Sequence, residues 1–277
     1  MTKFNLNTLY DVNGQVVVIT GAGGVLCGTI ASALAEAGLQ VVLLDRNKDR
    51  ILQRASEIHS TDGKAISNTC DMTDKAGLQE ACDQVVQQFG RVDILINGAG
   101  GNKPGAITSK EQSFFDLDQN ALERVFDDNF TSTLLSCQVF GKVMAEQKKG
   151  VILNIASMSS LKPLTHVPAY NAAKAAVANF TQWLAVYVAQ EYSPNIRVNA
   201  IAPGFFITRF NRYLLIDRES GQYTQRGQAV IAHTPMGRLG VPKDLLGAVL
   251  WLISPASAFV TGIVVPVDGG FSAFSGV

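Results

Sequence analysis

The sequence predicts a single α/β domain, a doubly wound parallel sheet with helices on both faces, and three observations predict it. Strand-length apolar runs alternate with helix-length segments from Val16 to Val267, and no repeat, charge run or Pro/Ser-rich linker divides the 277 residues. The first unit is a strand, a glycine-rich turn and a helix: Val16 to Thr20, Gly21-Ala22-Gly23-Gly24, and Val25 to Ala37. Residues suited to chemistry follow the ends of the apolar runs, where parallel sheets bind ligands. They are Gly21, Asp45, Asp71, the Asn97-Gly98-Ala99-Gly100 stretch, Ser157 and the Pro203-Gly204 pair.

The remaining elements follow in order. Short apolar runs read as strands at Val41 to Leu44, Ala65 to Asn68, Ile94 to Asn97, Val151 to Ile155, Ile196 to Ile201 and Ile263 to Val267. Helices are expected at Lys48 to Ser60, Asp74 to Phe89, Asn120 to Gln147, Ala169 to Tyr192 and Lys243 to Ile253. Right-handed crossovers between parallel neighbours then lead to the doubly wound sheet. With 47% hydrophobic and 17% charged residues, the core can be large and most strands buried on both faces.

Lys and Arg (23) balance Asp and Glu (23), which argues against nucleic acid or an anionic membrane surface as the main partner. The four cysteines are scattered, without a C-x-x-C pair, as expected of reduced thiols in a cytoplasmic protein and not of a zinc site. Met1 to Gly14 lacks the apolar core of a signal peptide, and no apolar run reaches the ~18 residues of a membrane span. The three histidines lie far apart in sequence, and no metal site is expected.

Tyr170 and Lys174 stand at i and i+4 on the expected helix, with Ser157 upstream just past a strand. An ammonium beside a phenol favours the phenolate. Acid/base work near neutrality needs the tyrosine lowered by roughly three pKa units, about 4 kcal/mol. The bland reading is a helix pair with a snorkelling lysine. The strand, glycine turn and helix weigh against it, because they form a dinucleotide site: backbone N–H groups and a helix N-terminus face the pyrophosphate and Asp45 the adenosine ribose.

Thr20-Gly21 with its turn, Asp71, the Asn97 to Gly100 stretch, Asn129, Ser157, Tyr170-x-x-x-Lys174 and Pro203-Gly204 together resemble the short-chain dehydrogenase/reductase family over nearly the whole sequence. The resemblance implies a Rossmann fold, NAD(P)-dependent oxidoreduction and a homo-oligomer, tetramer or dimer. Within that family, the stretches TGAGGVLCG, LINGAGGN, NAIAPGFF and HTPMGR are similar to those of the D-mannonate oxidoreductases, or fructuronate reductases. One departure stands out. Val25 and Cys27 occupy the second and third glycine positions of the usual turn, with Gly24 and Gly28 one residue aside, so a turn with redistributed left-handed residues is expected.

The resemblance implies cofactor contacts from Gly21, Gly23, Gly24, Val25 and Leu26, from Asp45 and Arg46, and from Asp71 and Met72. Further contacts are expected from Asn97, Ala99 and Gly100, from Tyr170 and Lys174, and from Pro203 and Gly204. Asp45 favours NAD, since a carboxylate bonds the ribose 2′-hydroxyl and repels a 2′-phosphate; Arg46, able to stack on adenine or meet a phosphate, keeps NADP as a minority outcome. Asp71 either contacts the adenine amine or caps the following helix. Tyr170 would be the general acid and base, Ser157 a donor to the same oxygen, and Lys174 a grip on the nicotinamide ribose. Asn129 would hold a water leading to the lysine, or satisfy helix backbone.

The segment from Phe205 to Pro235 is long for a connection and is expected to be a substrate lid. A sugar acid needs a cation for its carboxylate. Asn211 and Arg212 are the preferred substrate residues, with Asn102 and Ser157, ahead of Arg209 and Lys103; His233 would serve a hydroxyl or cap a helix. The expected reaction is NAD-linked interconversion of D-mannonate and D-fructuronate. The rivals are another sugar-acid or polyol dehydrogenase, a 3-oxoacyl-carrier reductase, and a catalytically silent nucleotide-binding module.

Overall fold

The computed structural model describes residues 6–208 and 212–276. Seven strands form one sheet: β1 (Val16–Thr20), β2 (Gln40–Asp45), β3 (Lys64–Thr69), β4 (Ile94–Asn97), β5 (Gly150–Ile155), β6 (Ile196–Pro203) and β7 (Val264–Val267). Their order is β3-β2-β1-β4-β5-β6-β7, and every neighbouring pair is parallel. The sheet starts in the middle, builds outward through β2 and β3, and returns to the other side of β1 with β4. That reversal opens a crevice between the carboxyl ends of β1 and β4.

The helices are α1 (Leu6–Leu9), α2 (Val25–Glu36), α3 (Lys48–His59), α4 (Lys75–Phe89), α5 (Gln119–Phe126), α6 (Ser132–Gln147), α7 (Pro168–Glu191), α8 (Arg212–Leu215), α9 (Gln225–Ala232) and α10 (Leu246–Ile253). Alternate strand residues feed two cores. Val17, Ile19, Val41 and Leu43 pack with Ile30, Leu34, Ile51 and Leu252 of α2, α3 and α10. Val16, Val18, Val42 and Leu44 pack with Leu78, Val85, Phe140 and Leu184 of α4, α6 and α7. Because both faces are covered, the central strands are continuous apolar runs with no polar alternation. None of the described helices is long and apolar enough to cross a membrane.

The expected helix from Asn120 to Gln147 is broken. A π-turn at Asp127–Thr131 separates α5 from α6. Side chains there compete for the helical carbonyls: Asn129 Nδ2 donates to Val125 O at 2.7 Å, Ser132 Oγ to Asp128 O at 2.8 Å and Thr133 Oγ1 to Asn129 O at 2.9 Å. Such bonds loosen the regular ladder, and π-turns of this kind gather at functional sites. The helix expected from Lys243 starts instead as a 3₁₀ turn, Pro242–Leu245, before α10, and β6 runs two residues further than expected.

A buried polar network ties the carboxyl ends of β4 and β5 to α7. Asn97 Nδ2, at the end of β4, donates to Asn154 Oδ1 on β5 at 2.9 Å, and Asn154 Nδ2 donates to Thr181 Oγ1 on α7 at 2.8 Å. All three side chains are buried. Asn154→Leu strands the partners without water, which is expected to cost about 1–3 kcal/mol. Urea denaturation at fixed pH measures it; a loss under about 0.5 kcal/mol would mean that this network does not hold α7.

Candidate active site

The glycine turn is the first part of the site. Gly21 leaves β1 at φ 68°, and a Cβ there would lie 2.7 Å from Gly98 O and 2.8 Å from Ala99 N. Only glycine combines that backbone with that approach. Thr20 Oγ1 accepts from the N–H groups of Gly98 (3.1 Å) and Ala99 (3.3 Å), clamping the β4 exit against the turn. The expectation of redistributed left-handed residues is not met, since between Thr20 and Gly28 only Gly21 has a positive φ. The displaced glycines answer close approach instead: Gly24 is an extended N-cap, and Gly28 lies under the Arg54 guanidinium. Cys27, standing at a usual glycine position, fills the space over Gly98, where a second Cβ would strike its Sγ.

A cleft of about 290 Å³ opens beside this turn, lined by Gly21, Gly24, Asp45, Arg46, Asp71, Met72, Ala99 and Gly100, among others. Its chemistry fits a dinucleotide. No side chain caps α2, so its first turn, with Val25 and Leu26, presents backbone N–H groups at the Gly24 end, suited to a pyrophosphate. Asp45 ends β2 with Oδ2 accepting from Gly23 N at 3.1 Å and Oδ1 from Asn47 N at 2.9 Å. Asp71 does not cap α4; Asp74 does, accepting from Ala76 N. Asp71 instead accepts from Thr73 N (2.9 Å) and Thr73 Oγ1 (2.7 Å) and pairs with Arg124 (3.3 Å). Burial works against its charge, but these donors outweigh burial and hold the carboxyl below its ordinary value.

Arg46 turns across the cleft to Asp128, Nη1 to Oδ1 3.3 Å, instead of standing free for a phosphate. The Asn97 side chain belongs to the buried network and not to the cleft wall, because the strand's alternation turns it toward Asn154 and Cys137. Pro203 ends β6, and Gly204 N donates to Val267 O at 3.0 Å, where a Cβ would strike Asp268.

The Ser157, Tyr170 and Lys174 side chains come together at the ends of β5 and α7. Ser157 sits in an extended conformation, buried, with Oγ accepting from Ser159 N at 3.2 Å. Pro168 opens α7 at its first position, and Thr108 holds the approach by donating its N–H to His166 O at 2.9 Å. Lys174 Nζ lies 5.8 Å from the Tyr170 ring centre and donates to Ile155 O at 2.8 Å.

The expected lowering of the tyrosine does not hold in the protein alone. Burial raises Tyr170 above its ordinary value, only partly opposed by the Ser157 bond. Burial likewise pushes Lys174 from 10.5 down to about 8, against a smaller opposite effect of Cys27. The desolvation that sharpens electrostatics here opposes both charged forms, and the ammonium is aimed at a carbonyl.

Asn129 is fully buried, its Nδ2 donating to Gly101 O and Val125 O, both at 2.7 Å, and its Oδ1 accepting from Gly101 N at 3.2 Å. Its side chain is thus committed to backbone, the second of its two expected roles. It still adjoins the lysine: a Cβ on Gly100 would strike Asn129 Oδ1 and sit 3.6 Å from Lys174 Nζ.

At the substrate end Asn102 accepts from Lys103 N at 3.0 Å, and Lys103 Nζ pairs with Asp128 at 3.1 Å, which removes it as a carboxylate reader. Arg209 and Asn211 lie outside the described residues. Arg212 opens α8 and is the first described residue after Thr208. His233 caps the end of α9, with Nδ1 2.8 Å from Ala229 O. Helices α8 and α9 pack around a small core of Leu215, Val230 and Leu239. Sequence reasoning misses Asp128; an acid four residues after Arg124 in a helix reads as a solvated pair, and only the fold shows it buried.

A parallel sheet with a dinucleotide cleft and a Ser-Tyr-Lys cluster defines a nicotinamide-dependent oxidoreductase. A family model described as enoyl-(acyl carrier protein) reductase matches residues 24–272, and the protein belongs to the short-chain dehydrogenase/reductase family, acting on alcohol groups with NAD(P). The uncharacterized oxidoreductase UxuB of Bacillus subtilis is 48% identical over 96% of this protein and 98% of its own length. The 2-dehydro-3-deoxy-D-gluconate 5-dehydrogenase of Dickeya dadantii is 34% identical over 97% of this protein and 99% of its own length. The crystal structure of a proposed D-mannonate oxidoreductase from Haemophilus influenzae, with bound NAD, is 44% identical with a TM-score of 0.91, covering 99% of this protein and 100% of that one.

Lys174 gives a signed pH test. Its pKa is lower folded (about 8) than unfolded (10.5), so the unfolded state takes up the proton first as pH falls through this window. The lysine therefore costs stability below about pH 8, and that cost fades as pH rises to 10.5. Relative to Lys174→Met, wild-type stability should rise by up to about 3 kcal/mol across the window. Paired urea titrations measure the difference; a flat one would mean the ammonium is not desolvated.

Proposed function

We propose that the protein interconverts D-mannonate and D-fructuronate with NAD, using Tyr170 as the acid in reduction and the base in oxidation. The likeness to the NAD-bound structure, carried over the whole length, supports this reading most. When bound, the nicotinamide supplies or accepts the hydride. Ser157 donates to the carbonyl oxygen, and Tyr170 delivers the proton to it, worth roughly 10²–10⁴-fold in general acid catalysis. Lys174 holds the nicotinamide ribose and supports proton exchange near neutrality, consistent with its lowered pKa of about 8. Asp45 accepts from the 2′-hydroxyl of NAD and repels the 2′-phosphate of NADP. The four buried free thiols suit a reducing cytoplasm, where the protein acts as a homo-oligomer.

D-Fructuronate should oxidise NADH in an absorbance assay, and Tyr170→Phe should abolish turnover while leaving NADH affinity within a few-fold. Substantial turnover by the variant would move the acid elsewhere; no turnover by wild type across the keto-sugar acids would sink the substrate class.

In the lid at residues 205–235, Arg212 is the cation proposed to read the substrate carboxylate. Losing a charge-assisted bond should cost roughly 1.5–3 kcal/mol, about 10- to 150-fold in kcat/KM. Arg212→Ala should therefore lose activity on fructuronate and much less on D-fructose, a neutral ketose of the same length. Equal losses on both would assign Arg212 to holding the lid.

A further inference from the structure

We infer that Asp128 is a positioning residue for cofactor selectivity: it pins Arg46 away from the 2′ position of the adenosine ribose. The inference rests on the proposed preference for NAD.

Asp128 lies in the π-turn, with its side chain only 8% exposed. Cations from three separate parts of the sequence meet it: Arg46 after β2, Lys103 after β4, and Arg124 on α5, the last with Nε 2.9 Å from Oδ1. A carboxylate this buried is tolerated only with such partners. The same attraction fixes where the partners sit.

Arg46 directly follows the carboxylate that reads the ribose hydroxyl, and a guanidinium there is the group that would pair a 2′-phosphate bidentately. Arg46 and Asp128 both line the cleft, and the bond between them spans it. Arg46 remains about half exposed, so this pair adds little stability and its consequence is mainly where the guanidinium points. Asp45 discriminates by repulsion; Asp128 adds to this by occupying the nearest attraction. Without the Asp128 charge, Arg46 is released, and Lys103 and Arg124 lose the carboxylate they share with it. Both changes favour a 2′-phosphate.

Calorimetric titration of the full-length protein with 5′-AMP and with 2′,5′-ADP tests this without turnover. In Asp128→Asn the affinity ratio should shift toward 2′,5′-ADP by at least about tenfold, and Asp128→Asn/Arg46→Ala should lose that gain. Arg46→Ala alone, an exposed change that leaves Asp128 intact, should move the ratio by less than about twofold. A tenfold loss of 2′,5′-ADP affinity in that variant would show Arg46 already reaching the phosphate and overturn the inference. An unmoved ratio in folded Asp128→Asn, or a gain that survives in the double variant, overturns it as well. Wild-type preference for 2′,5′-ADP would instead remove the NAD reading from beneath it.

Discussion

The contact on which the site depends is backbone against backbone, where the turn after β1 meets the exit of β4. Gly21 can pass Gly98 and Ala99 only because it has no Cβ, and Thr20 Oγ1 bonds both N–H groups on the far side. This is the point at which the strand order reverses, so the contact decides how wide the crevice opens. Cys27 is part of the same packing. A side chain at a usual glycine position is accommodated because Gly98, its neighbour across the turn, has none.

Within the Ser157–Tyr170–Lys174 cluster the lysine is costly to fold near neutral pH, because burial opposes its ammonium and its surroundings do not offset this fully. What keeps the groups in place is the neighbouring scaffold. The Asn97-Asn154-Thr181 network anchors α7 below the cluster, Ile155 O receives the lysine, and Asn129 clamps Gly101 beside it. Stability lost at the buried lysine is thus recovered in polar bonds of the neighbouring scaffold.

What can be read from the sequence is what local spacing determines. The sheet, the Asp45 position and the Tyr170–Lys174 pair follow from periodicity and from i, i+4 geometry, and the structure places them as read. What escapes depends on contacts between distant segments. The break at Asp127–Thr131 arises from several weak side-chain competitions, each compatible with an unbroken helix. The Asn97 side chain follows strand alternation into the core although its neighbours line the cleft. A tyrosine shift argued from one nearby charge has the wrong sign, because burial sets it and spacing does not reveal burial.

The substrate end is least legible for a related reason. The 205–235 segment packs on remote pieces: Phe205 on Phe271 at 5.2 Å between ring centres, and His233 on Phe271 and Phe274. Residues of the 205–235 segment and Phe271 therefore share one small cluster, separate from the two large cores of the sheet. Elements held by so few buried side chains open at lower free energy than the sheet beneath them. That suits the cover proposed for this segment, which would admit a polar substrate and then exclude water from Tyr170. The Phe205–Phe271 contact ties this segment to the C-terminal residues, so the two are expected to move together.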